Sequence, residues 1–464
     1  MSAAVSMTEW LSKLLGDPAA PRLSLEQYLA GIPRLDSLAD VPSGTPVLVR
    51  GDLDCKPGAA VGDGDERLRS MLPTLRYGRE QGWKQVLFGH IGRKPEGSLK
   101  AVSARLEQLL DAKVPLVADW LDEGSLALRD EVRGAVARCP AGGFVLLENT
   151  RKYQVERLLW DAEAADAGKL AEPLSRLAAA FGSLATVYVN EAFSAGSLDA
   201  SSTVVPAAMR RVALGHYVAG EFDGPMLRCL KTRLVVFSGL KIDKLDDLQA
   251  TIDRGTVRMV FTAGSLAMAL KKADAHLAGG DFHLGVAEDP AHADKPYYIP
   301  PERIEQARAM LAAGRQKGIE FVLPVDFVLG DGSISETIGP GRQQFDVGPQ
   351  TGELFGKKID EFISQNRPLA GQSPAVVFYN GVFGMFEDPR FEAGTKEFIG
   401  QLQRMTEAGL EVYVGGGEGG AALEKYGRPD GVTHCFTAGG TVLNALGSRP
   451  VPYLQALYMA AQKQ

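Results

Sequence analysis

Short apolar runs alternate along the chain with longer segments whose apolar positions recur at helical spacing. Residues 47–50 and 85–89 have the composition of buried strands. Between them, residues 66–81 place Leu68 and Leu75 on one face of a helix. Repeated alternation of strands and helices predicts an α/β fold, in which helices cover both faces of a parallel sheet.

The alternation is interrupted near Gly215 by a stretch that predicts one connecting helix at 218–231, with Gly224 and Pro225 inside it. At 464 residues the chain is too long for a single hydrophobic core. The other predicted strands lie at 114–118, 144–147 and 185–189 before this helix, and at 233–237, 258–262, 320–323, 375–379, 411–414 and 433–436 after it. The pattern therefore predicts two doubly wound parallel-sheet domains joined by a helix.

Three further helices follow from local signals. Residues 98–110 predict a helix with Ser98 as its N-cap, and residues 165–181 predict another. Residues 6–15 predict a short amphipathic helix near the start of the chain. For residues 1–45 as a whole, a lid, a partner-binding helix and a disordered tail all remain open.

Composition narrows the class of protein. The chain is 45% hydrophobic, with a net charge of −7 and a pI near 5.6, which argues against nucleic acid or an anionic membrane as a partner. The four cysteines form no CxxC pair, so we expect free thiols in a reducing compartment. No apolar run reaches the length of about 18 residues that a membrane span needs. We therefore expect a cytoplasmic protein.

Polar and cationic side chains follow the predicted strands of the first half. Asp52 and Asp54 come after the first strand, His90 and Arg93 after the second, and Arg151 after the strand at 144–147. Arg67 opens the helix at 66–81. The carboxyl ends of parallel strands share one edge of a sheet, so these side chains converge. Arginine forks suit carboxylate and phosphate oxygens, which predicts a site for a small anion.

Glycines follow the strands of the second half, most densely at Gly415–Gly417 between a strand and a helix. Exposed main-chain N–H groups at a helix N-terminus bind phosphate well, and Lys241 and Lys244 lie after another strand of this half. The alternative is a tight turn that binds no ligand. The spacing of Gly415, Gly417 and Gly420 also satisfies the dinucleotide pattern G-x-G-x-x-G, a weak match in so glycine-rich a run.

Read in order from about residue 45 to 447, short motifs resemble those of the phosphoglycerate kinase family. They are R-G-D-L-D at 50–54, F-G-H-I-G-R at 88–93, S-L-K at 98–100, L-E-N-T-R at 147–151, V-N-E-A-F at 189–193, L-P-V-D at 323–326, D-V-G-P at 346–349, N-G-V-F-G-M-F-E at 380–387 and G-G-G-E at 415–418. The resemblance implies a monomeric, hinge-closing, ATP-dependent phosphotransferase that uses Mg²⁺ and makes an acyl phosphate from a carboxylic acid.

The same resemblance implies a domain plan and roles for individual residues. The domains are an N-terminal extension at 1–45, an acid-binding domain at 46–216 to which 449–464 returns, a hinge helix at 217–231 and a nucleotide-binding domain at 232–448. The residues implied to hold the acid are Asp52, Asp54, Arg67, His90, Arg93 and Arg151. Those implied to hold ATP or ADP are Lys241, Lys244, Gly264, Asn380, Glu387, Gly416, Gly417 and Glu418, with Glu387 on the ribose and Glu418 on the metal. Those implied to act in catalysis are Arg67, Lys241, Gly415 and Gly439.

Departures from the family pattern cluster around both ligands. Leu198 stands where an anion-binding arginine is expected, and Asp54 and Asp199 add negative charge near the acid site. Gly419 replaces a threonine at the phosphate turn. We therefore hypothesise an acceptor other than 3-phosphoglycerate, either less negatively charged or carrying an amine that pairs with Asp54. A catalytically silent, nucleotide-binding regulator is the second hypothesis, and a dinucleotide-dependent enzyme is the third.

Overall fold

Two six-stranded parallel sheets form the framework of the protein in a computed structural model that describes residues 6–16, 23–447 and 450–463. The chain divides into two units, each containing one of these sheets. Unit 1 comprises Met1–Gly224 and Pro450–Gln464, and unit 2 comprises Pro225–Arg449. The predicted α/β fold with two parallel sheets is confirmed. The predicted boundary at 448/449 lies outside the described residues.

The sheet of unit 1 has the strand order β3-β4-β2-β1-β5-β6, so the chain starts in the middle and builds outward in both directions. Its strands are β1 (Pro46–Gly51), β2 (Lys84–Phe88), β3 (Leu116–Val117), β4 (Phe144–Leu147), β5 (Val187–Glu191) and β6 (Arg211–Leu214). The strand predicted at 114–118 is shorter than expected, because β3 is an edge strand that pairs with β4 alone. The short strand β6 was not predicted.

The helices of unit 1 before the connection are α1 (Met7–Leu14), α2 (Leu25–Gly31), α3 (Glu66–Glu80), α4 (Lys100–Leu110), α5 (Asp130–Arg138), α6 (Ala167–Gly182), α7 (Ala200–Thr203) and α8 (His216–Glu221). The prediction that Ser98 is the N-cap of the helix at 98–110 was wrong, since α4 begins at Lys100 and its N-cap is Leu99. The Ser98 hydroxyl instead donates a hydrogen bond to Glu148 at 2.8 Å.

The predicted N-terminal helix at 6–15 is present as α1, with Ser6 as its N-cap. Trp10 is buried, and its indole Nε1 donates to the carbonyl of Thr203 at 2.9 Å. Leu11 and Leu14 are buried on the same face. The described residues of this region are therefore folded onto unit 1.

The connecting helical segment differs from the single regular helix predicted at 218–231. It begins with α8, passes through a π-helical turn at Phe222–Met226 and ends with α9 (Leu227–Cys229). Pro225 lies in this turn, where its missing N–H removes one helical hydrogen bond and favours a local irregularity. The two units divide between Gly224 and Pro225.

The main sheet of unit 2 has the order β15-β14-β13-β7-β8-β9 and is again built outward from its first strand. An antiparallel sheet of order β11-β10-β12, which the sequence pattern did not predict, lies in the same unit. The strands are β7 (Thr232–Phe237), β8 (Met259–Thr262), β9 (Glu320–Val322), β10 (Phe327–Leu329), β11 (Ile334–Ser335), β12 (Gln344–Val347), β13 (Val376–Asn380), β14 (Glu411–Val414) and β15 (His434–Cys435).

Helices α10 to α16 belong to unit 2. They are α10 (Lys244–Asp253), α11 (Gly264–Leu277), α12 (Pro301–Gln316), α13 (Pro349–Asn366), α14 (Ala393–Glu407), α15 (Glu418–Tyr426) and α16 (Gly439–Leu446). The last helix, α17 (Pro452–Ala461), returns to unit 1 and buries Tyr453, Leu454 and Leu457 there.

Candidate active site

Polar residues meet at the carboxyl edge of the unit 1 sheet because β1 pairs in parallel with both β2 and β5. Arg50 lies opposite Phe88 on one side and Asn190 on the other. The residues that follow these strands, including Asp52 and His90, therefore share one edge.

The loop that carries His90 and Arg93 is held in place from the end of β4. Asn149 donates to the carbonyls of Ile91 and Gly97 at 3.2 and 2.9 Å, and its Oδ1 accepts from the Ile91 N–H at 3.2 Å. The Glu148 carboxylate accepts from the Leu99 N–H at 2.7 Å. Glu148 and Asn149, which follow β4, therefore fix the conformation of a loop that begins about 60 residues earlier in the chain.

The carboxylate of Asp199 contacts several buried charged and polar side chains of unit 1. Its carboxylate accepts from Arg151 Nε at 3.3 Å and from Arg151 Nη2 at 2.9 Å. The indole Nε1 of Trp160 donates to the same carboxylate at 2.9 Å, and the guanidinium of Arg151 lies 4.9 Å from the centre of the Trp160 ring. Arg50 Nη2 lies 3.6 Å and His90 Nδ1 3.5 Å from Asp199 Oδ2. One carboxylate thus faces two guanidinium groups and an imidazole.

Arg50 is completely buried at the end of β1. Its guanidinium donates to Ser201 Oγ at 3.0 Å and to the Gly51 carbonyl at 2.8 Å, and it lies 2.7 Å from His90 Nδ1. Burial, and secondly the charges of Arg50 and other arginines, hold the pKa of His90 well below its usual range. His90 is therefore neutral at neutral pH, and its Nδ1 accepts the Arg50 hydrogen bond.

The carboxyl group of Glu156 lies under this cluster and accepts from the Ser201 N–H at 2.8 Å. Burial, and secondly the negative charge of Asp199, raise the pKa of Glu156 above that of an ordinary carboxyl. The raised pKa favours the protonated form of Glu156, which places no second negative charge beside Asp199.

Arg67 occupies the more exposed part of the edge, with 24% of its side chain accessible. Its Nη1 lies 3.5 Å from a carboxylate oxygen of Asp52 and 3.5 Å from one of Asp54. Asp52 also accepts from the Ser194 hydroxyl at 2.6 Å, and Asp54 accepts from the Gly92 N–H at 2.8 Å. Both carboxylates are thereby fixed on either side of Arg67.

Five of the six residues predicted to hold the acid form a chain of contacts: Asp52, Asp54, Arg67, His90 and Arg151. The sixth, Arg93, is exposed on the loop that follows β2. Four further residues of this site were not predicted: Arg50, Trp160, Ser201 and Glu156. Arg50 could have been found from its position as the last side chain of a buried strand, whereas nothing in the sequence marks Trp160.

The carboxyl edge of the main sheet in unit 2 is lined with main chain. Four helices, α10, α11, α15 and α16, start in the segments that follow β7, β8, β14 and β15. Their N-terminal N–H groups and aligned peptide dipoles favour an anion. Glycine is required at two places here: a Cβ on Gly416 would lie 2.2 Å from the Phe436 carbonyl, and Gly264 combines φ +63° with a Cβ position 2.6 Å from the Gly239 carbonyl.

Asn380, at the end of β13, lies between two of the glycine turns. A Cβ on Gly415 would lie 2.4 Å from Asn380 Nδ2, and one on Gly439 would lie 3.3 Å from the same atom. The predicted residues Asn380, Gly415, Gly416 and Gly439 are therefore neighbours. Gly417, with φ +73°, is the N-cap of α15, and no atom lies near its absent side chain.

The two lysines after β7 differ in setting. Lys241 is exposed, whereas Lys244 is partly buried, and its Nζ donates to the Ser238 carbonyl at 2.6 Å. Burial lowers the pKa of Lys244, while the nearby carboxylate of Glu418 opposes that change. Lys244 thus places a cation at the carboxyl edge of the unit 2 sheet, beside the glycine turns. Glu387 is exposed in the loop after β13.

A magnesium ion would find a donor of suitable chemistry in Glu418, an exposed carboxylate at the first residue of α15. Within the described ranges, no group of three or more His, Cys, Asp or Glu side chains could hold a metal ion by itself. Mg²⁺ commonly binds through one or two carboxylates together with substrate phosphates, so a single donor at a phosphate edge fits this ion.

A family model described as phosphoglycerate kinase matches residues 38–449. The chain belongs to the phosphoglycerate kinase family. It is 30% identical to the cytosolic phosphoglycerate kinase of Triticum aestivum over 433 residues, which cover 89% of this chain and 95% of that protein. It is also 30% identical to the phosphoglycerate kinase of Bifidobacterium longum (strain DJO10A) over 447 residues, 91% of this chain and 99% of that protein.

Solved structures of phosphoglycerate kinases share the fold. The enzyme from Pyrococcus horikoshii OT3 matches with a TM-score of 0.71 and that from Coxiella burnetii with 0.66, each at 23% identity and covering 93% of this chain and all of the solved chain. The predicted family is confirmed, and family and fold support a phosphoglycerate kinase-type phosphotransferase. In the part of the chain that the structure describes, no helix has the length and apolarity to cross a membrane.

Proposed function

We propose that the protein transfers a phosphoryl group between ATP and the carboxylate of a small organic acid, giving an acyl phosphate and ADP. The observation that carries this proposal is the contrast between the two sheet edges. The edge in unit 2 offers helix N-termini, bare main chain and Lys244 to a nucleotide. The edge in unit 1 offers Arg67 and its neighbours to an acid. The printed names of the curated relatives support the same activity.

In the proposed reaction, a carboxylate oxygen of the acid forms a bond to the γ-phosphorus of ATP. The bond between that phosphorus and the β–γ bridging oxygen breaks, and ADP leaves with the electron pair. The transition state is loose, so catalysis depends on positioning and on positive charge around the phosphoryl group. Arg67 and Lys241 supply this charge in the proposal. Glu418 would hold Mg²⁺, which would neutralise part of the nucleotide phosphate charge.

The remaining predicted residues have positioning roles in this proposal. The N-termini of α15 and α16 bind phosphate oxygens, and Gly415 and Gly439 leave room beside the Asn380 amide. Gly264 gives the start of α11 its close approach to β7. Glu387 contacts the ribose hydroxyls. On the other edge, Arg93 meets the acid from the exposed loop after β2.

A second function is favoured by one observation. Arg151 is already paired with an internal carboxylate, that of Asp199. This pairing is expected of an arginine that no longer binds a substrate. That pairing suits a nucleotide-binding relative that regulates rather than catalyses. Turnover distinguishes the two functions, because both include ATP binding.

The test is acyl phosphate formation from Mg·ATP and a panel of small carboxylic acids, trapped with hydroxylamine and matched to ADP release. Lys241→Ala should lower kcat/KM for ATP about tenfold to a hundredfold, the effect of losing one charge-assisted contact. Lys357→Ala, at an exposed position within α13, serves as the matched control and should retain wild-type turnover. Mg·ATP binding without a trapped product from any acid would favour the regulatory function.

A further inference from the structure

The guanidinium groups of Arg50 and Arg151 are fully engaged within the protein. Every nitrogen of Arg50 has a partner among Ser201, Gly51, His90 and Asp199. Arg151 donates from Nε and Nη2 to Asp199 and from Nη1 to the Gly92 carbonyl at 2.8 Å. An anionic ligand that needs either arginine must therefore displace a contact that already exists.

The carboxylate that engages them cannot easily leave. Asp199 is completely buried, and its main-chain carbonyl accepts from the Ser202 and Thr203 N–H groups at 3.0 Å each. It also accepts from the Thr203 hydroxyl at 2.8 Å. These bonds form the first turn of α7, so the backbone of Asp199 is fixed on one side while Arg151 and Trp160 hold its carboxylate on the other.

The three arginines and three aspartates that contact one another at this edge are matched in number. Arg50, Arg67 and Arg151 are cationic, Asp52, Asp54 and Asp199 are anionic, and His90 is neutral. A phosphate group placed against Arg151 or His90 would lie beside the Asp199 carboxylate, and the guanidinium groups of Arg50 and Arg151 are already engaged with that carboxylate. For a single carboxylate, the accessible part of Arg67 is an alternative contact.

We propose that Asp199 is a specificity-determining residue, a built-in carboxylate that takes the place of a second acidic group on the acceptor. The acceptor is then a carboxylic acid that carries no phosphate. The inference rests on the phosphotransferase function proposed above and names the substrate class of that site. The Asp199 carboxylate does more than change the local charge, because it occupies the position between Arg50 and Arg151, here called the anion pocket.

The experiment compares 3-phosphoglycerate with unphosphorylated glycerate as acceptors for wild type, Asp199→Ala and the isosteric Asp199→Asn, by hydroxylamine trapping. Wild type should favour glycerate. Removing the carboxylate should shift the ratio of kcat/KM values toward 3-phosphoglycerate by about tenfold or more, the effect of one charge-assisted contact. Asp130→Asn removes an exposed carboxylate from the first turn of α5 and should leave the ratio unchanged.

A binding measurement on the full chain gives a readout that does not need turnover and also detects variants that fail to fold. Inorganic phosphate in the millimolar range should raise the Tm of Asp199→Ala, because it refills the vacated position between Arg50 and Arg151. Wild type and Asp130→Asn should show a smaller increase, since in them phosphate can bind only at the helix N-termini of unit 2, which all the variants share. Asp199→Asn, which keeps the shape of the side chain, should show a smaller increase than Asp199→Ala.

The outcomes separate the two proposals. A wild-type preference for 3-phosphoglycerate, or a ratio that the Asp199 variants do not change, overturns the role of Asp199 and leaves the phosphotransferase function standing. If wild type forms no acyl phosphate from any acid, the proposed function fails. In that case the phosphate-dependent Tm of Asp199→Ala decides about Asp199: an increase larger than that of wild type supports occupation of the anion pocket, and an equal increase overturns it.

Discussion

Buried charge in unit 1 is paired wherever it occurs at the ends of the strands. Arg50, Asp52 and Asp199 are each completely buried, and each has at least two polar partners. Burying an unpaired ion costs several kcal/mol, so removing one partner is more damaging than replacing the whole set with apolar groups. Because these residues share partners, the effects of substitutions at this edge on stability should not be additive.

Glu191, the last residue of β5, is a buried carboxyl that caps the connecting helix. Its Oε1 accepts from the Tyr217 N–H at 3.0 Å, and its Oε2 lies 3.4 Å from the Val218 N. Burial raises the pKa of Glu191 to about 8, despite these hydrogen bonds and one with Thr74 that oppose the rise. At neutral pH, Glu191 is therefore largely protonated in the folded protein and ionised in the unfolded chain.

This pKa gives stability a defined dependence on pH. The folded state binds the extra proton, so the contribution of Glu191 is complete below pH 4.5 and is lost as pH rises toward about 8. Glu191→Gln keeps a neutral side chain of the same shape. Its free energy of unfolding should therefore fall less steeply than that of wild type between pH 5 and 8, as measured by urea denaturation. A Glu191→Gln slope as steep as that of the exposed control Glu172→Gln would contradict the prediction.

Gly416 is a second residue whose replacement has a defined result. A Cβ there would meet the Phe436 carbonyl at 2.2 Å and the Ala438 N at 2.8 Å, both main-chain atoms that cannot rotate away. Gly416→Ala should lower the free energy of unfolding by about 1–3 kcal/mol, as overpacking commonly does, and should weaken Mg·ATP binding in calorimetry.

The matched control for Gly416 is Gly400, which lies within α14 with open space around the position of a Cβ. Gly400→Ala should stabilise the protein by up to about 1 kcal/mol, because alanine is the better helix former. Equal effects of the two substitutions would show that the close approach at Gly416 is not rigid.

At the scale of elements, the N-terminal helix α1 is part of the core of unit 1. Trp10→Ala removes a buried indole and leaves the Thr203 carbonyl without its donor, so it should cost about 3–5 kcal/mol of stability. Trp10→Phe keeps most of the apolar volume and should cost about 1 kcal/mol, mainly for the lost hydrogen bond. Thermal unfolding followed by circular dichroism measures both. A Trp10→Ala protein as stable as wild type would mean that α1 is dispensable.

Elements with a strong local signal were predictable. The strands β1, β2, β4 and β14 each contain a run of three or four apolar residues, and α3 has a clear apolar face. The elements that were missed lack such a signal. The antiparallel strands β10, β11 and β12 are short and partly exposed, and their pairing is set by contacts within unit 2 rather than by local sequence. The π-helical turn depends on how the chain accommodates Pro225, which periodicity does not specify.

The site residues that directly follow a strand could be predicted from the sequence. Positions such as His90 and Gly415 follow directly from where strands stop. The partner of Arg151 did not follow in this way: although Asp199 was expected near the acid site, only the folded chain shows its carboxylate against the guanidinium. Trp160 enters through irregular structure between β4 and α6, where spacing carries no information about direction.

At the scale of the whole molecule, each unit has a buried core and its own candidate ligand edge. Hydrogen exchange should therefore separate the two ligands. Mg·ADP should slow amide exchange at 264–267 and 415–420 in unit 2, because bound phosphates engage those N–H groups. A carboxylic acid that supports turnover should slow exchange at 90–93 in unit 1. Protection of the unit 1 loop by Mg·ADP alone, with none in unit 2, would reverse the proposed assignment of ligands to units.

The return of α17 to unit 1 affects how the protein is made. Its buried side chains Tyr453, Leu454 and Leu457 belong to a unit whose other elements precede unit 2 in the chain. A ribosome must therefore synthesise all of unit 2 before it supplies the helix that completes unit 1. Until then, the apolar surface that α17 covers stays open on the nascent chain, and unit 2 can finish folding before the unit that was started first.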